Sequence, residues 1–270
     1  MRLEGKVAIV SGGGTGIGAA TATIFTQEGS SVAITGRRRE PLDRVAERTG
    51  AMAVPGDTSS REDVEATVLA AIDRWGRLDV VVANAGIGLG GAVGEVSDEA
   101  WQRTLDVNLT GAMLLVRAAL PHLVGRPGAA IVLVSSVSGF VSAPRSAAYE
   151  VSKAGLLALM RSVALDYGPL GVRCNAVCPG WVRTPMGDAS AEEIAAERSV
   201  TVDDAYALLS APVPLRRPGT PEEVASCCAF LASDEASYVN GAALMVDGGG
   251  NVVDVASLPW SSPTKEETTS

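Results

Sequence analysis

The chain has 270 residues, of which 47% are hydrophobic and 4% aromatic, and it carries a formal net charge of −9 at pH 7. This acidic balance argues against general binding of nucleic acids or anionic membranes. The apolar runs are five or six residues long, too short to span a membrane. No basic and apolar leader opens the sequence, so we expect no signal peptide.

Cysteine and histidine are too few and too scattered for a zinc site or a disulfide framework. The cysteines show no paired C-x-x-C spacing, and His122 is the single histidine. We therefore expect no metal, reduced thiols and a cytoplasmic location. The four cysteines are Cys174, Cys178, Cys227 and Cys228.

Apolar β-rich runs alternate with helical segments as far as about Asp247. The runs lack period-2 alternation, which is typical of strands buried on both faces of a parallel sheet. The alternation predicts an α/β fold, a single Rossmann-like doubly wound parallel sheet of about seven strands flanked by helices. The predicted strands are 7–11, 31–35, 51–55, 79–83, 130–135, 172–177 and 243–246. The predicted helices are 17–28, 40–48, 60–74, 98–123, 149–167 and 220–232.

Two regions depart from this rhythm within what we expect to be one domain over 1–250. Residues 184–215 carry helical pieces at Ala189–Arg198 and Val202–Ser210 without a strand, and this insertion is where we expect a mobile lid over the substrate. The tail at 251–270 turns polar, which predicts a flexible or loosely docked segment.

A glycine-rich loop joins the first strand to the first helix. Glycine permits positive φ and lets the backbone approach a pyrophosphate at a helix N-terminus. The spacing Gly-x-x-x-Gly-x-Gly is a variant of the dinucleotide fingerprint, and no Lys-Ser/Thr pair follows it as a P-loop would require. The loop predicts dinucleotide contacts at Gly12, Gly14, Thr15, Gly16, Ile17 and Gly18.

The end of the second strand bears on which dinucleotide binds. An NAD site usually places an acid about 20 residues beyond the glycines, to bind the ribose 2′-hydroxyl. Here the sequence reads Gly36-Arg37-Arg38-Arg39, and a guanidinium pairs well with a 2′-phosphate. We therefore favour NADP(H) over NAD(H), with Arg37 and Arg38 in contact with the cofactor. The alternative is a solvated basic helix start.

Tyr149 and Lys153 lie four residues apart in a helical pattern, so their side chains emerge from one face one turn apart. A phenol normally titrates near pH ~10 and a lysine near ~10.4. A neighbouring cation is expected to lower the pKa of the phenol, which suits a general acid/base near neutrality. The alternative is an ordinary half-exposed helix, with the tyrosine at the core edge and the lysine in water.

Taken together, these features resemble the short-chain dehydrogenase/reductase family over roughly residues 4–250. Two small departures are Ser11, where threonine is commoner, and Ala83 in place of the first residue of an Asn-Asn-Ala-Gly motif. Ser136 lies thirteen residues before Tyr149, as the catalytic serine of the family does. The other matching segments are Gly56-Asp57-Thr58, Asn84-Ala85-Gly86, Asp106-Val107-Asn108-Leu109, Cys178-Pro179-Gly180-Trp181-Val182-Arg183-Thr184, Tyr238-Val239-Asn240-Gly241 and Val246-Asp247-Gly248-Gly249.

The resemblance implies a role for each catalytic residue. Tyr149 would protonate a carbonyl oxygen as the nicotinamide delivers hydride, or deprotonate the alcohol in reverse. Lys153 would hydrogen-bond the nicotinamide ribose, and Ser136 would hydrogen-bond the same substrate oxygen as Tyr149. Asn108 would hold a water that connects Lys153 to solvent. Ser135 and Ser138 rival Ser136 on composition, and the thirteen-residue spacing favours Ser136. The cofactor contacts that the resemblance implies are Asp57 (to adenine), Thr58, Asn84, Ala85, Gly86, Tyr149, Lys153, Pro179, Gly180, Val182 and Thr184.

The expected activity is that of an NADPH-dependent carbonyl reductase acting on a small or alicyclic apolar ketone or secondary alcohol. Apolar small residues support this substrate class, although they could merely fill the upper edge of the sheet. One alternative is an NAD-dependent alcohol or steroid dehydrogenase working in the oxidising direction. Another is a non-catalytic NAD(P) sensor, against which the complete Asn-Ser-Tyr-Lys set argues. The expected wall residues are 87–91, Val137, Ala143, Pro144 and Trp181.

The helix that carries Tyr149 is apolar over most of its circumference, from Val151 to Leu165. One sheet face cannot cover such a helix, so we expect a partner subunit to do so. The family likeness implies a four-helix interface, which favours a homotetramer over a dimer.

Overall fold

The computed structural model describes residues 1–254 and residue 256. Within them, seven parallel strands form one sheet in the order β3-β2-β1-β4-β5-β6-β7. This confirms the predicted α/β fold. The strands are β1 (Val7–Ser11), β2 (Ser31–Gly36), β3 (Met52–Pro55), β4 (Val80–Ala83), β5 (Ala130–Val134), β6 (Arg173–Pro179) and β7 (Ala243–Val246). The helices are α1 (Gly16–Gln27), α2 (Arg39–Thr49), α3 (Arg61–Trp75), α4 (Asp98–Leu105), α5 (Gly111–Leu123), α6 (Ala147–Tyr167), α7 (Pro185–Arg198), α8 (Val202–Ser210) and α9 (Pro221–Ala232).

The direction of winding reverses between β1 and β4. The chain moves outward from β1 to β2 and β3, then returns so that Ala8 of β1 pairs with Val80 of β4. The connections after β1 and β4 diverge there, which leaves a crevice at the carboxyl ends of the strands.

The sheet is covered on both faces, and each face has its own apolar core. Val64, Leu115 and Leu156 represent the face formed by α3, α5 and α6. Phe25 and Val224 represent the opposite face, formed by α1, α2 and α9. Burial on both sides explains why the strands are near-continuous apolar runs. Among the described residues, no helix has the length and apolarity needed to cross a membrane.

The predicted helix 98–123 contains a π-helical turn at Asp106–Thr110, between α4 and α5. The amide of Gly111 donates to the carbonyl of Asp106, five residues back rather than four. A Cβ on Gly111 would lie 2.7 Å from the carbonyl oxygen of Thr58, so a glycine is needed where the helix crosses that loop. The turn places Asn108 in the interior.

The insertion after β6 forms the helical pair α7 and α8. Its predicted first piece, 189–198, begins earlier, at Pro185, because Thr184 caps the helix by accepting from the amide of Gly187 at 3.1 Å. The pair has a small apolar cluster of its own, centred on Ala191, Ala205 and Tyr206. Of the predicted tail, residues 255 and 257–270 lie outside the described residues.

The start of β4 is joined to β1 by a buried carboxylate, which gives a test of the fold. Asp79 accepts from the amide of Val7 at 2.9 Å and from two nitrogens of Arg77 at 2.7 and 2.8 Å. In Asp79→Ala both donors lose this acceptor, so we expect the free energy of unfolding in urea to fall by about 2–4 kcal/mol. The exposed control Asp73→Ala should change it by less than about 0.5 kcal/mol. A loss below about 1 kcal/mol in Asp79→Ala would contradict this role.

Candidate active site

The glycine loop and the segment after β4 meet at the crevice, where Asn84 joins them. The Nδ2 of Asn84 donates to the carbonyls of Ser11 at 2.9 Å and Gly12 at 3.3 Å. Gly12 has a φ of 66°, and a Cβ on Gly18 would lie 2.2 Å from the carbonyl oxygen of Gly12. Glycine is therefore required at both positions, by backbone conformation at one and by space at the other.

Ser11 fills the position where threonine is commoner in the family. Its hydroxyl oxygen accepts from the amides of Asn84 at 3.0 Å and Ala85 at 3.1 Å. Either hydroxyl residue could make these bonds, so the substitution leaves the junction intact. Ala83, the other departure, is buried at the end of β4.

The first turn of α1 fits a phosphate group. Thr15 precedes the helix but makes no side-chain hydrogen bond to its first amides, which need an acceptor. Gly16 has a φ of 54°, and a Cβ there would lie 3.2 Å from the Cγ2 of Thr184. Ile17, the second residue of the helix, packs against the core of that face. A dinucleotide pyrophosphate is therefore compatible with the loop and with the segment that crosses above it.

The three arginines after β2 are exposed at the start of α2. Arg38 precedes the helix without capping it, and within the described residues Arg37, Arg38 and Arg39 make no side-chain hydrogen bond or ion pair. The helix start lies against the glycine loop, because a Cβ on Gly14 would be 3.1 Å from the Cβ of Pro41. These charges are therefore available to a phosphate beside the loop.

Asp57 follows β3 and is held by a residue that sequence reasoning missed. Arg103, from α4, donates to the Oδ2 of Asp57 at 3.0 Å, and Ser59 donates to Oδ1 through its amide and hydroxyl. Burial alone would raise the pKa of Asp57, but the bonds from Ser59 and Arg103 outweigh it and hold the pKa at about 2. The neighbouring Thr58 is buried. No pattern in the sequence relates Arg103 to Asp57.

Lys153 is 4% exposed, and its ammonium donates to the carbonyl of Val134, at the end of β5, at 2.9 Å. Burial lowers the pKa of Lys153 to about 8, because the charged form is poorly solvated there. The Nζ lies 5.5 Å from the centre of the Tyr149 ring. The two side chains thus share one face of α6, as their spacing predicts.

The expected lowering of the Tyr149 pKa by Lys153 is wrong for the chain by itself. Burial raises the pKa of Tyr149, and the interaction with the side chain of Ser136 opposes this increase only in part. The ammonium of Lys153 donates to the carbonyl of Val134 and lies 5.5 Å from the centre of the ring, and it does not offset the effect of burial on the Tyr149 pKa. Tyr149 is therefore protonated at neutral pH.

The serines after β5 have separate contacts. Ser136 interacts with Tyr149 and accepts from the amide of Ser138 at 3.1 Å. The hydroxyl of Ser135 donates instead to the backbone carbonyl of Lys153 at 2.9 Å. Of the three, Ser136 is the serine that interacts with the phenol.

Asn108 is buried in the π-helical turn, beside Lys153. A Cβ on Gly86 would lie 3.4 Å from the Oδ1 of Asn108 and 3.5 Å from the Nζ of Lys153, so Gly86 adjoins both. The side-chain amide of Asn108 donates to the carbonyl of Ile87 at 2.9 Å and to Ser152 at 3.0 Å, while Oδ1 accepts from Ile87. Both hydrogens of the side-chain amide are already donated. A water could therefore bind Asn108 only by donating a hydrogen bond to one of its oxygens.

The segment after β6 crosses above the glycine loop. Pro179 ends β6, and the amide of Gly180 donates to the carbonyl of Val246 at 3.1 Å. Val182 is buried and pairs with Gly219, and Thr184 then caps α7 next to the glycine loop. The chain thus brings the glycine loop, the segment after β4 and the segment after β6 to the same crevice. The predicted segment 238–241 lies elsewhere, because Asn240 accepts from the amide of Cys174 at 2.9 Å, at the amino end of β6.

The predicted wall residues lie on an open rim. Val137 is half-buried, whereas Ala143, Pro144 and Trp181 are exposed. A Cβ on Gly88 would lie 3.9 Å from the ring of Tyr149. Sequence reasoning missed the exposed pair that follows the turn after Ser136, namely Phe140 and Val141.

Three contacts hold the loops of this rim. The amide of Ala143 donates to Glu150 of α6 at 2.5 Å. Arg145 has a φ of 61°, unusual for a residue with a Cβ, and its carbonyl accepts from Gly91 at 2.7 Å while its guanidinium pairs with Glu95 at 2.9 Å. The two contacts of Arg145 join loop 87–96 to loop 140–146, and the bond to Glu150 joins loop 140–146 to α6.

Comparison with known proteins agrees with this geometry. A family model described as "Enoyl-(Acyl carrier protein) reductase" matches residues 12–251. Protein MoaE of Klebsiella aerogenes is 40% identical, over 95% of this chain and 99% of that protein. Meso-2,3-butanediol dehydrogenase of Serratia marcescens is 38% identical, over 94% of this chain and 98% of that protein. The structure of Thermoplasma acidophilum aldohexose dehydrogenase superposes with a TM-score of 0.89 at 35% identity, over 97% and 98% of the two chains.

The chain therefore belongs to the short-chain dehydrogenase/reductase family. It is an oxidoreductase of a family that uses nicotinamide cofactors.

The burial of Lys153 gives a prediction for stability against pH. Below about pH 8 the ammonium is charged in both states, so the folded state bears the full cost of burying it. Between about pH 8 and 10.5 the folded state loses its proton first, so stability rises with pH. From pH 8 to 9.5, wild type should gain roughly 2 kcal/mol relative to Lys153→Met in urea unfolding. The neutral control Met160→Leu should keep a constant difference from wild type, and a constant difference for Lys153→Met would contradict the buried charge.

Proposed function

We propose that the protein is an NADPH-dependent carbonyl reductase of small uncharged ketones. The observation that carries the proposal is the convergence of Ser136, Tyr149, Lys153 and Asn108 beside a glycine loop at the reversal point of the sheet. A sensor that only bound the dinucleotide would have no use for a phenol and a serine at this position.

Tyr149 would be the proton donor when the reaction runs as a reduction. A phenol held neutral by burial can donate its proton to a carbonyl oxygen as negative charge develops there. Ser136 interacts with the same phenol and would hydrogen-bond the same oxygen, which orients the substrate carbonyl. The bound nicotinamide supplies the hydride.

Lys153 has two functions in this proposal. One ammonium hydrogen is used by the carbonyl of Val134, which leaves two donors for the nicotinamide ribose and for a water at Asn108. The ammonium also lies 5.5 Å from the centre of the Tyr149 ring, so it would link the phenol to that water when Tyr149 regains its proton from solvent.

The preference for NADPH rests on the exposed arginines at the start of α2. No carboxylate stands at the end of β2, and within the described residues the side chains of Arg37 and Arg38 have no hydrogen bond or ion pair. A 2′-phosphate beside Gly14 would pair with them.

The exposed apolar rim supports an uncharged substrate of modest size. Phe140, Val141 and Trp181 offer exposed apolar surface on this rim. The names of the two relatives, a butanediol dehydrogenase and an aldohexose dehydrogenase, favour a secondary alcohol and its ketone as the pair. Both are named as dehydrogenases, so NAD-dependent oxidation of an alcohol is the second function we consider.

We also propose that the protein is a cytoplasmic homotetramer. Leu165, at the exposed face of α6, is 77% exposed, and Val151, Ala154 and Ala158 of the same helix are exposed with it. Burial between copies would remove this apolar stripe from water. The four cysteines are unpaired, which suits a reducing compartment.

Tyr149→Phe tests the mechanism. It removes the proton donor but keeps the ring, so kcat for butane-2,3-dione with NADPH should fall by about 10²–10⁴-fold. The dissociation constant for NADPH should stay within about threefold, since the hydroxyl adds little to cofactor affinity. Tyr167→Phe, in the same helix, should keep wild-type turnover. Turnover by Tyr149→Phe at the wild-type rate would contradict the mechanism.

Arg37→Ala tests the cofactor preference. Loss of a charged hydrogen bond should weaken NADPH binding by about tenfold and NADH binding by less than about twofold, as measured by fluorescence titration. Arg48→Ala, at the other end of α2, is the matched control and should change neither. Equal weakening of both ligands by Arg37→Ala would show that it does not bind the 2′-phosphate.

Leu165→Glu tests the assembly. A charge in the apolar stripe of α6 should dissociate the tetramer, giving a mass by light scattering of a half or a quarter of that of wild type. Leu69→Glu, on the exposed side of α3, should leave the mass unchanged. An unchanged mass for Leu165→Glu would contradict the proposed interface.

A further inference from the structure

Arg103 completes a closed ring of hydrogen bonds around Asp57. Its Nη1 donates to the hydroxyl of Ser59 at 2.9 Å and its Nη2 to the Oδ2 of Asp57 at 3.0 Å. The hydroxyl of Ser59 donates in turn to the Oδ1 of Asp57 at 2.7 Å, and the amide of Ser59 donates to the same oxygen at 2.9 Å. The ring fixes the rotation of the carboxylate about its own axis, because each oxygen has its own donor.

One acceptor direction of the carboxylate remains. A carboxylate offers about four lone-pair positions, two on each oxygen. Ser59 occupies both on Oδ1, and Arg103 occupies one on Oδ2. The remaining position on Oδ2 can take one donor. The exocyclic amino group of adenine is a donor of this kind, whereas hypoxanthine carries a carbonyl oxygen at the same place.

The contact of Arg103 with Asp57 is made between distant parts of the chain. Arg103 lies in α4, 46 residues after Asp57, and just before the π-helical turn that holds Asn108. The ion pair is partly exposed, with side chains 35% and 30% accessible, so as a surface pair it adds little to stability. The main effect of the pair is therefore to orient the carboxylate of Asp57, and its contribution to the stability of the fold is small.

We propose that Arg103 is a positioning residue for the dinucleotide, which turns the free acceptor of Asp57 towards the amino group of the purine. This inference rests on the proposed function. It adds that purine recognition depends on a residue of α4 which itself need not touch the cofactor. The ionised state of Asp57, with a pKa of about 2, is consistent with a pure acceptor.

The test compares NADPH with the reduced nicotinamide hypoxanthine dinucleotide phosphate, which has an oxygen in place of the amino group and a hydrogen on N1 of the purine. Dissociation constants are measured by fluorescence titration of the full chain. Wild type should bind NADPH more tightly by about fivefold or more, as expected for a hydrogen bond to a charged group. Arg103→Met should reduce this ratio of the two dissociation constants to about twofold or less, chiefly because NADPH binds more weakly.

Further variants separate positioning from a general structural effect. Arg103→Lys keeps the charge and should retain part of the ratio, and it serves as the second variant if Arg103→Met folds poorly. Asp57→Ala should abolish the ratio, and Arg103→Met added to Asp57→Ala should change it no further. Arg61→Met, an exposed arginine at the start of α3, is the matched control and should keep the wild-type ratio.

Four results would overturn the proposal. The wild-type ratio in Arg103→Met would mean that Asp57 needs no positioning, and equal weakening of both ligands would mean a structural role only. A wild type that binds both dinucleotides equally would remove the purine contact but leave the proposed reductase intact. A wild type that binds neither would overturn the proposed function itself, and the inference with it.

Discussion

The close approach of two backbone segments at the reversal point of the sheet is the constraint on which the site depends. The carbonyl of Gly12 leaves no space for a side chain at Gly18, and Asn84 fastens the glycine loop to the end of β4. Because both segments leave the sheet here in different directions, the first turn of α1 faces an open crevice. The same junction brings Gly86 beside Asn108 and Lys153, so the cofactor loop and the reacting groups share one frame.

This arrangement buries the ammonium of Lys153, which destabilises the folded state while the lysine is charged. Within the part of the chain that the structure describes, Lys153 donates to one protein acceptor, the carbonyl of Val134, and its pKa falls because water is largely excluded. Its charge does not lower the pKa of Tyr149, which burial raises. The chain thus holds a protonated phenol and a poorly solvated cation side by side, an arrangement suited to giving a proton to a carbonyl and regaining it from solvent.

The strands and the crevice could be predicted from the sequence, since strands buried on both faces are continuous apolar runs and the glycine spacing marks their first connection. The π-helical turn could not, because it depends on Gly111 passing Thr58, a contact between residues 53 positions apart. The same holds for the bond between Arg103 and Asp57. The four-residue spacing predicts that Tyr149 lies beside Lys153. It does not predict whether the pKa of Tyr149 is raised or lowered, because that depends on burial of the phenol and on the partner to which the ammonium donates.

Hydrogen–deuterium exchange of the wild-type protein with and without NADPH tests most directly the claim that these segments form one dinucleotide site. Slower amide exchange is predicted in three separate stretches, 12–18, 84–87 and 180–187, with no change at 121–126 on the opposite edge of the sheet. Protection of all three at concentrations that saturate binding would support a single crevice built by the glycine loop, the end of β4 and the segment after β6. Unchanged exchange in these stretches, with NADPH and with NADH, would contradict it.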